Sequence, residues 1–394
     1  MAIKAALKEI SASAVYMGFL AALVGYLASF AIVLAGLTAV GADDAQAATG
    51  LFYATLGTGI CSVVIPWLAR VPASVAWSTP GAAFLAATAV LPGGFEEAVG
   101  ALIVCAAIIL LTGLIPVIGR IVTNIPKSVA NALLAGVLLK LCFAPAIALG
   151  QIPMLMLPVL LAWLIGIYWN RLFAMPLAIL AFLFVLFLNA DFEQFQQTTS
   201  FQILPSLAPF KPIFTLNSII SISIPLYLVT MAGQNIPGFA VLSLNGYSVD
   251  RQAMLRKTGF ASLLIAPFGS IPANMSAITA AMTTGEDAGK NPDHRYWAAI
   301  FFGLFYASFA FLAGIVTTLA SIAPALLITG VAGLALIPAL VKALAEAFDD
   351  QSHLEAPALT FLISASGMTL FGISGAFWGV LIGTLVWMFQ SKRD

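Results

Sequence analysis

The stretches Val71-Pro72-Ala73-Ser74 and Ile271-Pro272-Ala273-Asn274 lie 200 positions apart, and each interrupts a run of apolar residues. Proline lacks a backbone donor and disfavours helical geometry in the residue before it. Lipid cannot satisfy the backbone groups that such a break frees, so they persist where protein or a water-filled cavity supplies partners. Paired interrupted segments in two halves of a chain are typical of the substrate sites of secondary transporters.

The composition predicts an integral membrane protein. Of the 394 residues, 61% are hydrophobic and 8% are charged, whereas a soluble domain carries about 25% charged residues. Three cysteines lie inside apolar runs, where they are expected to be small buried side chains rather than disulfide partners or metal ligands. We expect the lipid bilayer as a partner, and no nucleic acid.

The apolar runs predict an all-α protein with fourteen transmembrane segments. The two interrupted segments, near 73–90 and 272–284, become segments 3 and 10 if each crosses as a short extended piece followed by a half-helix. The twelve continuous helices are predicted near 12–38, 49–69, 97–118, 127–145, 152–170, 172–189, 215–236, 252–268, 296–320, 323–344, 355–371 and 374–390.

The positions of the basic residues support fourteen crossings. With the N-terminus in the cytoplasm, fourteen of the sixteen Lys and Arg residues fall on the cytoplasmic side, as the positive-inside rule requires. Lys211 falls in an outside loop, and Lys140 lies near the outer end of its helix. The sequence therefore predicts a multi-pass protein of the inner (plasma) membrane with both termini in the cytoplasm.

Seven crossings in each half make the halves inverted repeats, because an odd number starts the second half on the opposite side of the membrane. The matches Pro72 with Pro272 and Thr79 with Thr279 give a register of 200 residues. The predicted division is a first repeat over 1–190, an extracytoplasmic connection over 191–214 and a second repeat over 215–394.

Three stretches resemble the benzoate/proton symporter family. They are Ala76-Trp77-Ser78-Thr79-Pro80-Gly81-Ala82-Ala83, Leu228-Val229-Thr230-Met231-Ala232-Gly233-Gln234-Asn235-Ile236-Pro237-Gly238 and Asn274-Met275-Ser276-Ala277-Ile278-Thr279-Ala280-Ala281. The resemblance covers nearly the whole chain. It implies the seven-plus-seven inverted-repeat fold shared with nucleobase permeases. In that fold a core domain (segments 1–4 and 8–11) holds substrate between two half-helices, and a gate domain (segments 5–7 and 12–14) forms a homodimer.

The broken segments favour an anionic ligand. A helix N-terminus carries roughly half a positive elementary charge, and two half-helices meeting near the midplane would aim theirs at one site. Unpaired backbone N–H groups around Thr79 to Ala82 and around Asn274 to Ala277 would hydrogen-bond a carboxylate there. Such a site needs no lysine or arginine.

The positions of the ionisable residues also favour an anionic ligand. All sixteen Asp and Glu residues fall in loops or at helix ends, and His294 and His353 lie in predicted cytoplasmic loops. Nucleobase permeases generally place carboxylates on segments 8 and 10, where this chain has the amides Gln234, Asn235 and Asn274. Because intramembrane carboxylates or histidines usually carry protons, we expect the proton here to travel with the substrate or on water.

Each candidate residue also has a structural interpretation. Trp77 and Tyr26 are placed to contact an aromatic ring, or they pack between helices. The buried amides bind substrate or join helices, and Ser78 and Thr79 cap a half-helix or contact substrate. The predicted substrate-binding set is Tyr26, Trp77, Ser78, Thr79, Gln234, Asn235, Asn274, Met275 and Ser276.

The sequence predicts a secondary transporter that imports benzoate or a closely related aromatic carboxylate with protons. It contains no Walker A loop, HExxH or CxxC motif, so we expect neither an enzyme nor a bound cofactor or metal. Two alternatives stay open: a transporter of another small anion or a nucleobase, and a non-transporting membrane receptor or scaffold.

Overall fold

The structure is a computed structural model that describes residues 9–117, 125–189, 206, 208–350, 353–371 and 373–391. The first half contains α1 Ala12–Leu27, α2 Phe30–Ala39, α3 Asp44–Ala69, β1 Val75–Trp77, α4 Thr79–Ala86, α5 Gly94–Leu114, α6 Lys127–Cys142, α7 Ala144–Gln151, α8 Pro153–Trp169 and α9 Ala174–Asn189. The second half contains α10 Leu216–Leu244, α11 Arg251–Ile265, β2 Ala273–Met275, α12 Ile278–Thr284, α13 Tyr296–Phe309, α14 Ala313–Ile322, α15 Ala325–Ala347, α16 Glu355–Ser366, β3 Thr369–Leu370, β4 Ile373–Ser374 and α17 Gly375–Gln390.

The residues that follow the two prolines form a short antiparallel ribbon of β1 and β2. Ala76 of β1 lies opposite Asn274 of β2. Beyond the strands, Ser78 N donates to Pro272 O and Ser276 N donates to Ser74 O, both at 3.1 Å. The prediction of extended pieces followed by half-helices is confirmed. The ribbon supplies the backbone partners that lipid does not.

Two serines hydrogen-bond to the backbone groups at the outer edges of the ribbon. Ser62 Oγ in α3 accepts from Val75 N at 2.7 Å and donates to Val75 O at 2.8 Å. Ser262 Oγ in α11 accepts from Ala273 N at 2.9 Å and lies 3.2 Å from Ala273 O. Val75 and Ala273 thus make equivalent bonds and are 198 residues apart, whereas their partners Ser62 and Ser262 keep the expected spacing of 200.

Several helix limits differ from the predicted ones. The first predicted helix breaks at Ala28 and Ser29 into α1 and α2. The predicted helix 215–236 continues past Pro237 to Leu244. The irregular backbone of α10 instead precedes that proline, in π-helical turns at Ile219–Ser223 and Met231–Asn235.

Within the described residues, eight helical spans are long and apolar enough to cross a membrane. Two shorter apolar helices, α8 and α17, accompany them. The chain is therefore a mainly helical protein with many membrane spans, as the composition predicted.

The helices pack into two bundles. The first bundle contains α1–α5 and α10–α14, and the second contains α6–α9 and α15–α17. Glycines allow the closest crossings in the first bundle: a Cβ at Gly59 of α3 would lie 2.6 Å from Ala307 N in α13. A Cβ at Gly259 of α11 would lie 2.5 Å from Leu110 N in α5. Helices from the two halves of the chain thus pack closely against each other around the ribbon.

A polar cluster joins α3 and α13 to the residues before α1. The Glu9 carboxylate accepts a hydrogen bond from Tyr296 Oη at 2.6 Å and pairs with Arg70 at 3.4 Å. Arg70 has φ +56° and its guanidinium lies 4.7 Å from the Tyr296 ring centroid. The hydrogen bond from Tyr296 lowers the pKa of the Glu9 carboxyl. The cluster fixes the start of α1 to one end of the first bundle.

We expect Ser262→Ala to destabilise the protein, because it leaves the buried Ala273 N–H without its acceptor. A buried unsatisfied donor costs about 1–3 kcal/mol. Thermal unfolding of purified protein should show a lower midpoint for Ser262→Ala than for Ser308→Ala, which removes an exposed hydroxyl bonded within its own helix. Equal midpoints for the two variants would contradict this role for Ser262.

Candidate substrate-binding site

The half-helices α4 and α12 begin at opposite ends of the ribbon and run towards opposite ends of the molecule. Ser78 Oγ caps α4 by accepting from Gly81 N at 3.0 Å. Ser276 Oγ accepts from Thr279 N at 3.3 Å at the start of α12. The two serines are also 198 residues apart and each accepts from the backbone N three residues later, although Ser78 directly precedes α4 and Ser276 lies two residues before α12.

Two hydroxyl pairs fix the half-helices to their neighbours. Ser78 Oγ lies 2.7 Å from Thr230 Oγ1 in α10, and Ser74 Oγ lies 2.8 Å from Thr279 Oγ1 in α12. All four side chains are buried. Sequence reasoning missed Ser74, Thr230 and Thr279 as site residues. The signal available was their position inside the family-like stretches or next to them.

The amides of α10 lie in its second π turn, beside β2. Asn235 Oδ1 accepts from the backbone N of Met275 at 3.0 Å, and its Nδ2 lies 3.4 Å from Met231 Sδ. Asn235 is therefore used in joining α10 to the ribbon. Gln234 is buried, and its side chain makes no hydrogen bond to a described residue. Of the two amides, Gln234 has the polar atoms left for a ligand.

Asn274 lies in the middle of β2 and is fully buried. Its Nδ2 donates to Pro272 O at 3.1 Å. Its Oδ1 has no hydrogen-bond partner among the described residues. An unpaired buried acceptor is uncommon and costly in a folded protein, so Asn274 Oδ1 is a candidate ligand contact.

Trp77 is enclosed by protein. Its Nε1 donates to Ser29 Oγ at 2.8 Å, at the break between α1 and α2. Its ring centroid lies 5.7 Å from that of Tyr26 and 5.1 Å from that of Tyr306, and the side chain is 1% exposed. This packing favours the structural interpretation of Trp77 over stacking on a substrate ring.

Tyr26 connects the ribbon to an apolar crevice between the two bundles. Its hydroxyl has no hydrogen-bond partner among the described residues. The crevice has a volume of about 140 Å³ and is lined by α1, α2 and α14 of the first bundle and by α9 and α15 of the second. An apolar cavity of similar size binds benzene. The crevice therefore has room for one ring but offers no partner for a carboxylate.

Access to the ribbon differs between its two ends. On the α4 side, α6 packs against α4 and the second π turn, and α15 packs against α2. On the other side, α12 packs against α1, α13 and the end of α10, all in the first bundle. Ile278, the first residue of α12, is 61% exposed. The second bundle thus covers the α4 side of the site and leaves the α12 side open.

The predicted residues converge on one place. Eight of them lie in the ribbon, at the half-helix starts or in the π turn, and Tyr26 contacts Trp77 from α1. Ser78, Ser276 and Asn235 all have protein partners, whereas Thr79 is partly exposed at the start of α4. None of β1, β2, α4, α12 and the second π turn contains a charged residue. The site offers neutral donors and acceptors.

Comparison with known proteins identifies the family. Residues 8–389 match the model of the benzoate membrane transport protein family, BenE. The chain belongs to the BenE family. It is 30% identical over 389 residues to the benzoate membrane transport protein of Acinetobacter baylyi (strain ATCC 33305 / BD413 / ADP1), covering 97% of this chain and 96% of that protein. It is 34% identical over 367 residues to the inner membrane protein YdcO of Escherichia coli (strain K12), covering 93% of each.

The fold also matches solved transporter structures. The transmembrane domain of a cyanobacterium bicarbonate transporter, BicA, superposes with a TM-score of 0.58 at 16% identity, covering 96% of this chain and 98% of that one. The murine anion transporter Slc26a9 in its inward-facing state superposes with a TM-score of 0.61 at 12% identity, covering 96% and 68%. Membership of the BenE family, together with the apolar spans, makes this chain a multi-pass membrane transporter and not an enzyme.

We expect Trp77→Phe to reduce stability more than ligand binding. The change removes the hydrogen bond to Ser29 but keeps an aromatic ring between Tyr26 and Tyr306. The thermal midpoint should fall, while the apparent Kd for benzoate, measured by calorimetry below that midpoint, should change by less than about threefold, or about 0.7 kcal/mol. A tenfold weaker Kd with an unchanged midpoint would show that Trp77 contacts the ring.

Proposed function

We propose that this chain is a secondary active transporter that imports benzoate or a closely related aromatic carboxylate together with protons. The observation that carries the proposal is the unpaired polar group of Asn274 between two half-helix starts, in surroundings without a charged residue. Family membership supports an aromatic carboxylate.

The chemistry of the site fits a carboxyl group. The start of α4 presents a partial positive charge and a partly exposed Thr79. The Gln234 amide has two N–H donors without a recorded protein partner. A fixed Asp or Glu at this place would repel a carboxylate, whereas the amides do not.

The proposed architecture is two inverted repeats of seven segments, 1–190 and 215–394, joined by an extracytoplasmic connection over 191–214. Most of that connection lies outside the described residues. The equivalent bonds made by Ser62 and Ser262, and by Ser78 and Ser276, support the repeat relation. In this proposal β1 with α4 forms segment 3, and β2 with α12 forms segment 10.

The two bundles support a mechanism of alternating access. The first bundle corresponds to the proposed core domain and the second to the proposed gate domain. If the core domain moves against the gate domain, the two half-helices keep their geometry relative to each other. The gate domain then covers the α12 side of the site and exposes the α4 side. The exposure of Ile278 supports a state in which the site is open towards the end of the molecule where α1 begins. With the proposed inner-membrane location and both termini in the cytoplasm, that state faces inward.

The proposed oligomer is a homodimer formed through the gate domain, as the family resemblance implies. Exposed apolar side chains on α8 and α9 give the second bundle a surface that faces lipid or another protomer; they are Met154, Leu157, Leu161, Leu164, Leu180, Phe184 and Phe187.

Uptake into proteoliposomes tests the function. Under an inward proton gradient, wild-type protein should accumulate radiolabelled benzoate above the leak into protein-free liposomes. The double variant Gln234→Ala, Asn274→Ala should lose at least about 90% of the protein-dependent flux. Asn245→Ala is the matched control, since this exposed asparagine bonds only to Val241 O within α10.

The outcomes separate the alternatives. Absence of protein-dependent benzoate flux, with uptake of bicarbonate or of a nucleobase instead, would replace the substrate assignment. Benzoate binding without any flux would support a receptor or scaffold. Equal flux with and without the proton gradient would remove proton coupling from the proposal.

A further inference from the structure

The orientation of the Asn274 amide is set by its surroundings. Pro272 O accepts from Asn274 Nδ2 and from Ser78 N, both at 3.1 Å. Turning the amide over would place Oδ1 against that carbonyl oxygen, which has no proton to give. The unpaired atom of Asn274 is therefore an oxygen, and this oxygen only accepts hydrogen bonds.

The unpaired oxygen belongs to the face of the ribbon that is partly open at Ala76, although Asn274 itself is enclosed by protein. Residues directly opposite each other in a strand pair share a face, and Ala76, opposite Asn274, is partly exposed. Val75, Trp77 and Met275 lie on the other face and are buried. A ligand that reaches the ribbon therefore meets the face that Asn274 shares with Ala76.

An acceptor is the wrong partner for a carboxylate. An ionised carboxyl group only accepts hydrogen bonds, whereas a protonated one has an O–H donor and a C=O acceptor. The O–H of a neutral acid matches Asn274 Oδ1. Its C=O matches the N–H groups of the Gln234 amide. The neutral acid satisfies both kinds of group, and the anion leaves Oδ1 unpaired.

The elements around β2 contain no obvious proton carrier. Those elements are β1, α3, α10 and α11. Their titratable side chains are Asp44, Tyr53, Cys61, Tyr227, Arg251, Arg256 and Lys257. The sole carboxylate among these, Asp44, begins α3 roughly 27 Å along the helix from Ser62. Tyr227 bonds to Thr112 of α5, and the three bases occupy the first half of α11. Tyr26 and Tyr306 lie against Trp77, on the opposite face of the ribbon.

We propose that the site binds the neutral, protonated form of the aromatic acid, whose O–H donates to Asn274 Oδ1. This inference rests on the proposed function. The carboxylate takes up one proton before it binds and releases it after it leaves on the other side. One proton therefore moves with each substrate molecule, no protein group changes its protonation, and the transported species carries no net charge.

The pH dependence of binding tests the proposal. Carboxylic acids ionise at about pH 4 by comparison with Glu, so the neutral fraction falls tenfold for each pH unit above that value. Calorimetry on purified protein, which avoids leak across a bilayer, should give an apparent Kd for total benzoate that rises about tenfold per pH unit from pH 5 to 7. Benzamide has a C=O and an N–H donor at every pH, so it should bind with a pH-independent Kd.

Two variants locate the effect. Asn274→Ala should weaken benzoate binding at pH 5 at least tenfold and reduce the slope of apparent Kd against pH. Benzamide binding should weaken with it, because the same acceptor is lost. Asn245→Ala should keep the wild-type slope and affinities.

The result that overturns the inference is a benzoate Kd independent of pH, or failure of benzamide to bind while benzoate binds. A pH-independent benzoate Kd makes the anion the bound form, failure of benzamide to bind argues against O–H donation to Asn274 Oδ1, and both leave the proposed function standing. If the apparent Kd for benzoate rises steeply with pH and Asn274→Ala does not change that slope, a group other than Asn274 is responsible for the proton dependence. Absence of benzoate binding from pH 5 to 7 would overturn the proposed function together with this inference.

Discussion

The need to satisfy backbone hydrogen bonds at membrane depth governs this structure. The two proline-containing stretches are not helical, and lipid offers their backbone groups no partners. They satisfy each other across the ribbon, and Ser62 and Ser262 complete the outer edges. Once the ribbon exists, α4 and α12 must begin beside it. The helices that carry the two serines must also pack against it. The central arrangement of the first bundle follows from that one requirement.

The same requirement explains why the site is polar but uncharged. Several polar side chains near the ribbon supply a partner to a backbone or hydroxyl group, as Asn235 does for Met275 N and Thr230 does for Ser78. A charged group would need a counter-ion or water to offset its desolvation in such surroundings. Neutral amides and hydroxyls hold the geometry at lower cost. They also leave Asn274 Oδ1 and the Tyr26 hydroxyl without partners within the described protein.

Much of this arrangement was predictable from local sequence. Proline within apolar runs predicted the two extended pieces, and hydropathy predicted the long spans. The register was not predictable to the residue: the pattern matched Pro72 with Pro272, whereas hydrogen bonding relates Val75 to Ala273. The predicted end of α10 was also wrong, because the helix continues past Pro237 to Leu244.

The candidate site shows a similar limit. Residue type identified the amides and Trp77, but their roles depend on partners distant in sequence. Trp77 is bonded to Ser29 and Asn235 to Met275, and no periodic pattern records such pairs. The unpaired state of Asn274 Oδ1 is likewise a property of the assembled ribbon, because the residue alone has the same hydrogen-bonding capacity anywhere in the chain.

The ribbon also constrains how the protein is made. Its two strands are 198 residues apart, so β1 emerges from the ribosome long before its partner exists. At about 5–20 residues per second, that interval is roughly 10–40 seconds. During this time the first broken segment has no strand to pair with. Its backbone must remain hydrated, or lie outside the hydrocarbon, until the second half is synthesised. Completion of the central fold is therefore a late event in biogenesis, and a chain truncated before Ala273 lacks the means to bury its first half-helix.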